Sequence, residues 1–192
     1  MTQAFIFIGP SGSGKGTQAQ NLIEKLSKRG DSPCYIETGA TFREFITGEK
    51  PLQKRSREFY KEGKRQPDFL AVYMWANELV RRFSGEQSVI FDGTPRSLYE
   101  AYMLDTALSF LHTEKVFVIS LALPHKILME RLLKRGRGDD DPYGIEKRLA
   151  WFQNDVVPAI EYYKKHPTHT FIEIDGSRSV NEVWSDLEVR LI

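Results

Sequence analysis

The chain has 192 residues, of which 41% are hydrophobic and 28% are charged, a balance typical of one globular domain that can carry inserted lobes. Its 27 basic and 26 acidic residues give a net charge of +1, so we expect no nucleic-acid or membrane partner that binds through overall charge. The single cysteine, Cys34, excludes an intramolecular disulfide and a zinc site built from clustered cysteines.

We expect a soluble protein of the reducing cytoplasm. The apolar run that begins at Ala4 is too short for a signal peptide and lacks a cationic lead. No stretch of the sequence approaches the roughly 20 apolar residues that a membrane span requires. We interpret Cys34 as a small residue at the start of a strand rather than as a nucleophile.

Short apolar runs alternate with helical patterns along the chain. The predicted strands are residues 4–8, 34–37, 89–91, 116–123 and 170–174. Helices are predicted after each strand, including 68–83 with Asp68 as its cap, 97–111, 124–134 and one long helix over 145–165. Residues 38–67 lack clear periodicity, which predicts two short helices in an inserted lobe. The alternation predicts an α/β fold with a doubly wound, five-stranded parallel sheet.

A glycine-rich loop, residues 9–17, follows the first strand and precedes the first helix. Two of its glycines are separated by four residues and followed by Lys15, which is the core of a phosphate-binding P-loop. Glycine lets backbone N–H groups turn toward a phosphate, and the helix N-terminus attracts the anion. Lys15 adds a mobile positive charge, for which a plain strand-to-helix turn would have no use. The general motif has Ser or Thr next as a Mg²⁺ ligand, whereas this chain has Gly16 and then Thr17.

Polar residues follow the third strand and flank a second loop. Ligands bind at the carboxyl ends of strands in doubly wound sheets, so Asp92 is a predicted Mg²⁺ partner, directly or through water, and Arg96 extends from the same turn. A charged loop, residues 136–144, contains glycines that could act as hinges. Four arginines surround this loop and predict a phosphate clamp: Arg131, Arg135, Arg137 and Arg148. Asp139 and Asp140 either order these arginines or simply solvate the loop.

The segments together resemble the adenylate kinase family of nucleoside monophosphate kinases over nearly the whole chain. The resemblance rests on the Gly-Lys-Gly-Thr form of the P-loop, which makes Gly16 a family feature, and on Thr38-Gly39 followed by Arg43. It also rests on Asp-Gly-Thr-Pro-Arg at 92–96, on the arginines around the charged loop, and on the Asp175-Gly176 turn. The family implies direct transfer of a phosphoryl group from ATP to AMP, with Mg²⁺, by a monomer.

The resemblance also implies roles for individual residues. ATP would be bound by Gly12, Ser13, Gly14, Lys15, Gly16, Thr17, Arg131, Arg135 and Gly176, with Arg131 against the adenine. The monophosphate would lie in the lobe at 38–67 and be bound by Thr38, Arg43, Gln66, Gly93, Arg96, Glu100, Arg137 and Arg148. The implied catalytic residues are Lys15, Arg96, Arg135, Arg137 and Arg148, and Asp92 is the implied Mg²⁺ anchor. The charged loop would be a short lid without zinc.

Three positions near the acceptor base depart from the family pattern. Ala40 replaces an aspartate, Gln66 replaces a valine, and Glu100 replaces a glutamine that reads adenine. An ionised glutamate only accepts hydrogen bonds, which suits guanine better, so GMP is the alternative acceptor. Equally, Ser97 and Glu100 fit a capping box that has no role in base recognition. A third hypothesis is a regulatory factor that binds or slowly hydrolyses ATP on the same fold.

Overall fold

The five predicted strands are present in the computed structural model, which describes residues 2–191. The strands are β1 (Gln3–Ile8), β2 (Cys34–Glu37), β3 (Val89–Asp92), β4 (Lys115–Ala122) and β5 (Thr170–Asp175). They form one sheet in the order β2-β3-β1-β4-β5, and every neighbouring pair is parallel. The predicted α/β fold with a five-stranded parallel sheet is therefore confirmed.

Nine α-helices connect or flank these strands in the described part of the chain. They are α1 (Lys15–Lys28), α2 (Thr38–Phe45), α3 (Pro51–Lys61), α4 (Asp68–Arg82), α5 (Leu98–Phe110), α6 (His125–Arg135), α7 (Pro142–Trp151), α8 (Val157–Lys164) and α9 (Val180–Arg190). Helices α2 and α3 are the two short helices predicted between residues 38 and 67. Within residues 2–191, no helix is both long enough and apolar enough to cross a membrane.

The strand order places a crevice at the carboxyl end of β1. The chain leaves β1 toward one edge of the sheet to form β2, and it leaves β4 toward the opposite edge to form β5. Such a reversal is the topological switch point at which open α/β sheets bind their ligands. The glycine-rich loop, which follows β1 directly, lies at this point.

Alternate residues of the central strand pack into two separate cores. Ala4 and Ile6 belong to a cluster with residues of α4, α5 and α8 on one face of the sheet. Phe5 and Phe7 pack with α1 and α9 on the other face, where the Phe5 ring stacks on Phe117 at 5.3 Å between centroids. Because both faces are covered, the strand is an apolar run rather than an alternating one. This burial fixes the position of the loop that follows it.

The predicted long helix over residues 145–165 is present as an unbroken helical segment from 142 to 164, but it is not α-helical throughout. Between α7 and α8 the chain forms a π-helical turn over Phe152–Val156, in which the N–H of Val157 donates to the carbonyl of Phe152. Pro158 follows and has no N–H to donate, so an ordinary α-helical bond is missing at that position. Phe152 and Val156 from this turn line the cavity described below, which is typical of π turns near functional sites.

The role predicted for Asp68 as a helix cap was also wrong. Helix α4 begins at Asp68 itself, and Pro67 occupies the capping position. The Asp68 carboxylate instead accepts hydrogen bonds from Arg65 and from the Ser97 hydroxyl, both at 2.6 Å. It thus connects the start of α4 to the start of α5.

The third strand is one residue longer than predicted, so Asp92 is its last residue.

Candidate functional site

A cavity of about 790 Å³ opens at the carboxyl ends of β1, β2 and β3. Its wall combines the glycine-rich loop, the first turn of α2, the segment between α3 and α4, the turn after β3 and the charged loop. The sequence-predicted site residues in this wall are Gly12, Gly14, Lys15, Gly16, Thr17, Arg43, Gln66, Asp92, Gly93, Arg96, Arg131, Arg135, Arg137 and Arg148. Ser13, Thr38, Glu100 and Gly176 lie behind it.

The glycine-rich loop has backbone angles that favour glycine at three positions, Gly9, Gly12 and Gly14. Gly9 has φ +149°, and a Cβ there would lie 2.6 Å from the carbonyl oxygen of Leu121 on β4. Gly14 has φ +97° and is the residue immediately before α1. The loop therefore lies tightly against the sheet, and its backbone turns into the N-terminus of a 14-residue helix. A helix N-terminus beside inward-facing N–H groups is an anion-binding arrangement.

Lys15 extends over this loop from the first position of α1. Its ammonium group donates hydrogen bonds to the carbonyls of Gly9 and Pro10, each at 2.9 Å. Burial lowers its pKa to about 8; the Asp92 charge opposes this shift, and Arg96 and Arg135 add to it. The shift in pKa therefore comes mainly from the loss of water around the ammonium group, and the nearby Arg96 and Arg135 charges make a smaller contribution. A cavity lined by these cations favours a multiply charged anion.

Asp92 lies beside the N-terminus of α1. Its Oδ2 accepts a hydrogen bond from the Tyr35 hydroxyl at 3.0 Å, and burial raises its pKa. A Cβ on Gly16 would lie 3.2 Å from this Oδ2 atom. Glycine after the lysine thus has a structural reason in this chain, because a larger residue would crowd the carboxylate.

Arg43 and Arg96 converge on the opposite side of the cavity. A Cβ at Gly39 would lie 3.2 Å from a terminal nitrogen of Arg43 and 3.5 Å from one of Arg96. Glu37 accepts a hydrogen bond from Arg43 at 2.8 Å, and Arg96 lies over the Phe42 ring at 5.5 Å. Two guanidinium groups that converge at one glycine have the chemistry to hold an anion, and neither belongs to the glycine-rich loop.

Asp140 organises the arginines of the charged loop. Its fully buried carboxylate accepts two hydrogen bonds from Arg135, both at 2.8 Å, and one from Arg148 at 2.7 Å. Burial alone would raise its pKa, but the Arg135 side chain and the backbone N–H of Arg137 outweigh burial and lower it. Asp139 binds Arg148 from the other side, through its carboxylate and its carbonyl. The acidic pair therefore orders the arginines rather than merely solvating the loop.

Arg131 connects the charged region to the end of β5. Its guanidinium donates to the carbonyl of Gly176 at 2.8 Å, and a Cβ at Gly176 would lie 3.1 Å from the carbonyl of Ser13. The turn after β5 thus packs directly on the glycine-rich loop. This turn contributes to the site by supporting Arg131 from behind the cavity wall.

Glu100 lies behind the cavity wall. It is fully buried, and its two carboxylate oxygens accept hydrogen bonds from the Thr94 hydroxyl and from the backbone N–H of Arg96. The Ser97 hydroxyl caps α5 by accepting from the Glu100 N–H at 3.1 Å, as the capping-box alternative predicts. The reciprocal bond differs from that prediction, because the side chain reaches the N–H of Arg96 rather than that of Ser97. Glu100 therefore shapes the turn that positions Arg96.

Gln66 in the cavity wall and Thr38 behind it are buried polar residues. The Gln66 amide makes two hydrogen bonds to Ser56 on α3, one to its hydroxyl at 2.8 Å and one to its carbonyl at 2.9 Å. These bonds tie the end of the segment between α3 and α4 to the middle of α3. The hydroxyl of Thr38 is buried and has no hydrogen-bond partner among residues 2–191. Such an atom is costly unless a bound molecule satisfies it.

The sequence did not single out several residues of this wall. Glu37 is the last residue of β2, so the rule on strand ends could have found it. Tyr35, Tyr60 and Trp151 also line the cavity, but no motif marks them. Tyr35 lies on β2, Tyr60 on α3 and Trp151 on α7, so their meeting at one cavity depends on tertiary packing, which local sequence patterns do not describe.

Comparison with known proteins gives a consistent result. A protein-family model described as adenylate kinase matches residues 7–168. The chain is 33% identical over 193 residues to a protein named adenylate kinase from Thermus thermophilus, with 98% of this chain and 97% of the relative covered. A protein of the same name from Azobacteroides pseudotrichonymphae is 35% identical over 184 residues, with 93% and 92% covered. One from a Synechococcus species is 32% identical over 191 residues, and both chains are fully covered.

Proposed function

The chain belongs to the adenylate kinase family and is a nucleoside monophosphate kinase, and on that premise we propose that it transfers the γ-phosphoryl group of ATP to AMP, giving two ADP. The observation that most supports this proposal is the pair of candidate anion sites in one cavity. The glycine-rich loop with Lys15 lies on one side, and Arg43 with Arg96 lies on the other. A donor triphosphate and an acceptor monophosphate each require such a site.

ATP is proposed to bind with its phosphates on the glycine-rich loop. The N–H groups of Gly12, Gly14 and Gly16 and the N-terminus of α1 are suited to the β- and γ-phosphates, and Lys15 adds its charge. The carbonyl of Gly176 holds the Arg131 guanidinium, which is planar and would cover the adenine. The charged loop at 136–144 is proposed to be the lid over this site.

AMP is proposed to bind in the lobe formed by residues 38–67. Arg43 and Arg96 would hold its phosphate, because two convergent guanidinium groups match the oxygens of a phosphate monoester. Gln66 also lines the cavity, and Thr38, the first residue of α2, lies buried behind its wall. Every group in this arrangement comes from one chain, so we propose that the enzyme acts as a monomer.

The residues beside the phosphate loop fit a magnesium ion bound together with ATP. Mg²⁺ prefers oxygen ligands and is usually held by one or two carboxylates, water and the substrate phosphates. Asp92 and Thr17 both line the cavity and supply a carboxylate and a hydroxyl. Asp92 would hold the ion through water, with Tyr35 orienting its carboxylate. The ion would supply positive charge next to the phosphates.

Catalysis in this arrangement requires alignment and charge rather than a covalent intermediate. An oxygen of the AMP phosphate attacks the γ-phosphorus in line as the bond to the oxygen shared with the β-phosphate breaks. Lys15, Arg135, Arg137 and Arg148 would surround the transferring group and stabilise its negative charge. Closure of the charged loop would exclude water, which otherwise competes with AMP as the acceptor.

The position of Glu100 favours AMP over GMP. The argument for GMP required the Glu100 carboxylate to accept hydrogen bonds from guanine, but both of its oxygens already accept bonds within the chain. The side chain is fully buried and lies behind the cavity wall. Without that contact, the departure from glutamine at this position gives no reason to prefer guanine.

The proposal is tested by supplying Mg²⁺ and ATP with each of AMP, GMP, CMP and UMP and measuring diphosphate formation. We expect kcat/KM to be highest for AMP, with two ADP formed for each ATP consumed. Turnover with GMP but not with AMP would overturn the proposed acceptor. Slow ATP hydrolysis without transfer to any monophosphate would instead support the regulatory-factor hypothesis.

Replacing Glu100 by Gln tests whether this residue reads the base. We expect the ratio of kcat/KM for AMP and GMP to change less than about twofold, because the side chain does not face the cavity. The amide group would place a donor against the N–H of Arg96 or the hydroxyl of Thr94, which costs about 1–3 kcal/mol of folding stability. Thermal unfolding measures that loss. A large gain in preference for AMP, with stability unchanged, would contradict the structural role.

A further inference from the structure

Two histidines and an aspartate meet at a surface away from the cavity. Asp105 belongs to α5, His166 follows α8 and His169 precedes β5, and one ligand atom from each lies within 4.8 Å of the other two. None of the three lines the cavity. We propose that Asp105, His166 and His169 form a binding site for a divalent transition-metal ion, with Zn²⁺ as the preferred ion.

The contacts of the two imidazoles with the Asp105 carboxylate fit one tetrahedral ion. The Nε2 atom of His169 lies 3.2 Å from Oδ1 of Asp105, and the Nε2 atom of His166 lies 3.6 Å from Oδ2. The two imidazole rings are 3.6 Å apart between centroids. Zinc bonds of about 2.0–2.2 Å in a tetrahedron separate neighbouring ligand atoms by about 3.3–3.6 Å. A metal ion could therefore replace the contacts with Asp105 after only small side-chain movements.

Thr168 is placed to select the tautomer that metal binding requires. Its hydroxyl oxygen lies 3.4 Å from Nδ1 of His166 and 3.3 Å from Nδ1 of His169. A hydroxyl oxygen has two lone pairs, so it can accept a hydrogen bond from both Nδ1–H groups. In that state both Nε2 atoms carry a free lone pair and both face Asp105. Groups that hold a metal-binding imidazole in this way orient the ligand and strengthen binding.

Two tyrosines fix the aspartate. The Tyr162 hydroxyl donates to Oδ2 of Asp105 at 2.6 Å, and the Tyr163 hydroxyl donates to Oδ1 at 3.2 Å. The carboxylate is thereby oriented toward the imidazoles before any ion binds. The three ligand side chains are between 8% and 18% exposed, which leaves access for the ion and for a water molecule as fourth ligand.

The ligand set selects the class of metal. Two imidazoles and one carboxylate suit Zn²⁺ and its neighbours in the transition series, whereas Mg²⁺ prefers oxygen ligands. The expectation that this protein lacks zinc considered only cysteine ligands, and this set contains none. A bound ion would connect α5 to the segment between α8 and β5. We expect it to stabilise the folded chain and to leave phosphoryl transfer unchanged.

The test begins with protein stripped of metal by a chelator. Calorimetric titration with ZnCl₂ should show one ion per chain, and Co²⁺ in its place should give the visible absorption of tetrahedral coordination. Zinc at a hundredfold excess over its Kd should raise Tm by about 5 °C or more. MgCl₂ should produce none of these changes. Failure of both Zn²⁺ and Co²⁺ to bind would overturn the proposal whatever the kinase assay gives.

Variants locate the ion. His166→Gln and His169→Gln should each weaken Zn²⁺ binding more than tenfold, whereas His125→Gln should not, because His125 lies elsewhere and contacts Glu146. Thr168→Val retains all three ligands and should weaken binding by about tenfold. Thr168 is exposed, so this variant tests the site even if a histidine variant does not fold. If His166→Gln and His169→Gln fold and bind Zn²⁺ as tightly as the unmodified protein, the ion lies elsewhere and the proposal is overturned. If neither of them folds, unchanged Zn²⁺ binding in Thr168→Val overturns it.

Discussion

The glycine-rich loop and the charged loop both face the same cavity, but different forces hold them. The glycine-rich loop is positioned by its backbone: Gly9 packs against a carbonyl of β4, and Gly14 turns the chain directly into α1. The charged loop is positioned by side chains, since Asp140 holds Arg135 and Arg148 together. One loop depends on the absence of side chains, and the other depends on their charges.

This difference matches the tasks of the two loops. A site that binds phosphates through N–H groups must have a fixed backbone, because a small displacement misaligns several donors at once. A lid must open and close, and arginines held by a carboxylate can exchange it for a phosphate without refolding the chain. We therefore expect replacement of Lys15, which leaves the backbone of the glycine-rich loop intact, to alter chemistry alone. Substitutions at Asp140 should alter both stability and chemistry.

The largest effect is expected for Lys15→Ala. Lys15 supplies positive charge beside the glycine-rich loop, and its hydrogen bonds go to two carbonyls and the Ser13 hydroxyl of that same loop, so its loss should lower kcat by about 10²–10³ without unfolding the protein. Steady-state kinetics with ATP and AMP measure the first effect, and circular dichroism the second. Lys28→Ala, at the exposed end of α1, is the matched control and should retain normal activity. An unfolded Lys15→Ala protein would contradict a purely functional role.

Asp140→Asn should disrupt the arrangement of the arginines at the charged loop. Removing the buried charge leaves Arg135 and Arg148 without their shared partner, and a displaced arginine should lower kcat by about 10- to 100-fold. Stability should fall by about 2–3 kcal/mol, at the lower end for buried ion pairs because Arg135 is partly exposed. Because the pKa of Asp140 is lowered on folding, its contribution is present at pH 7 and lost as pH falls through the acidic range. Urea unfolding of the unmodified protein and of Asp140→Asn at pH 7 and at pH 3 measures this change in the free energy of unfolding.

Asp139→Asn is the matched control for that experiment. Of the clustered arginines, Asp139 bonds Arg148 but not Arg135, and its carbonyl, which the substitution retains, accepts one of the hydrogen bonds from Arg148. Its side chain is also 20% exposed, whereas that of Asp140 is fully buried. We expect losses of activity and stability well below those of Asp140→Asn. Equal losses in the two variants would show that net charge of the loop, and not the geometry at Asp140, is what matters.

A smaller effect is expected from pH acting on the glycine-rich loop. The pKa of Lys15 is lowered to about 8, so in the free enzyme this lysine loses its proton above that pH. Bound phosphates stabilise the charged form, and ATP affinity should therefore fall about tenfold between pH 7 and pH 9. Arginine does not deprotonate in this range, so Lys15→Arg should show a flat profile over the same interval. A decline of equal size in Lys15→Arg would assign the titration to another group.

The two loops also differ in how far sequence alone could describe them. The glycine-rich loop is local: its spacing, the strand before it and the helix after it all lie within about 20 residues, and each follows from backbone geometry. The charged loop depends on how α6 packs against α7. The sequence showed that acids and arginines are close along the chain, but it could not decide between ordering and solvation. That choice depends on the burial of Asp140.

Other features resisted prediction for the same reason. The apolar register over residues 145–160 indicates one helix, and the π turn arises only where Pro158 removes a donor. At Glu100 the sequence left base recognition and helix capping equally plausible. The side chain in fact bonds Thr94 and Arg96, one residue before the expected partner. Both outcomes depend on which groups tertiary packing brings within hydrogen-bonding distance.

The smallest expected effect compares one glycine from each loop. A Cβ at Gly16 would lie 3.2 Å from Oδ2 of Asp92, so Gly16→Ala should displace that carboxylate by a few tenths of an ångström and lower kcat/KM a few-fold. The gain in helix propensity, about 0.5–1 kcal/mol, should offset the crowding and leave stability nearly unchanged. A Cβ at Gly138 would have no neighbour within 4 Å among the described residues, and Gly138→Ala should leave kcat/KM unchanged. If Gly138→Ala instead slows turnover while the Kd of ATP stays constant, Gly138 serves as a hinge, and freedom of the backbone is needed in the charged loop as well.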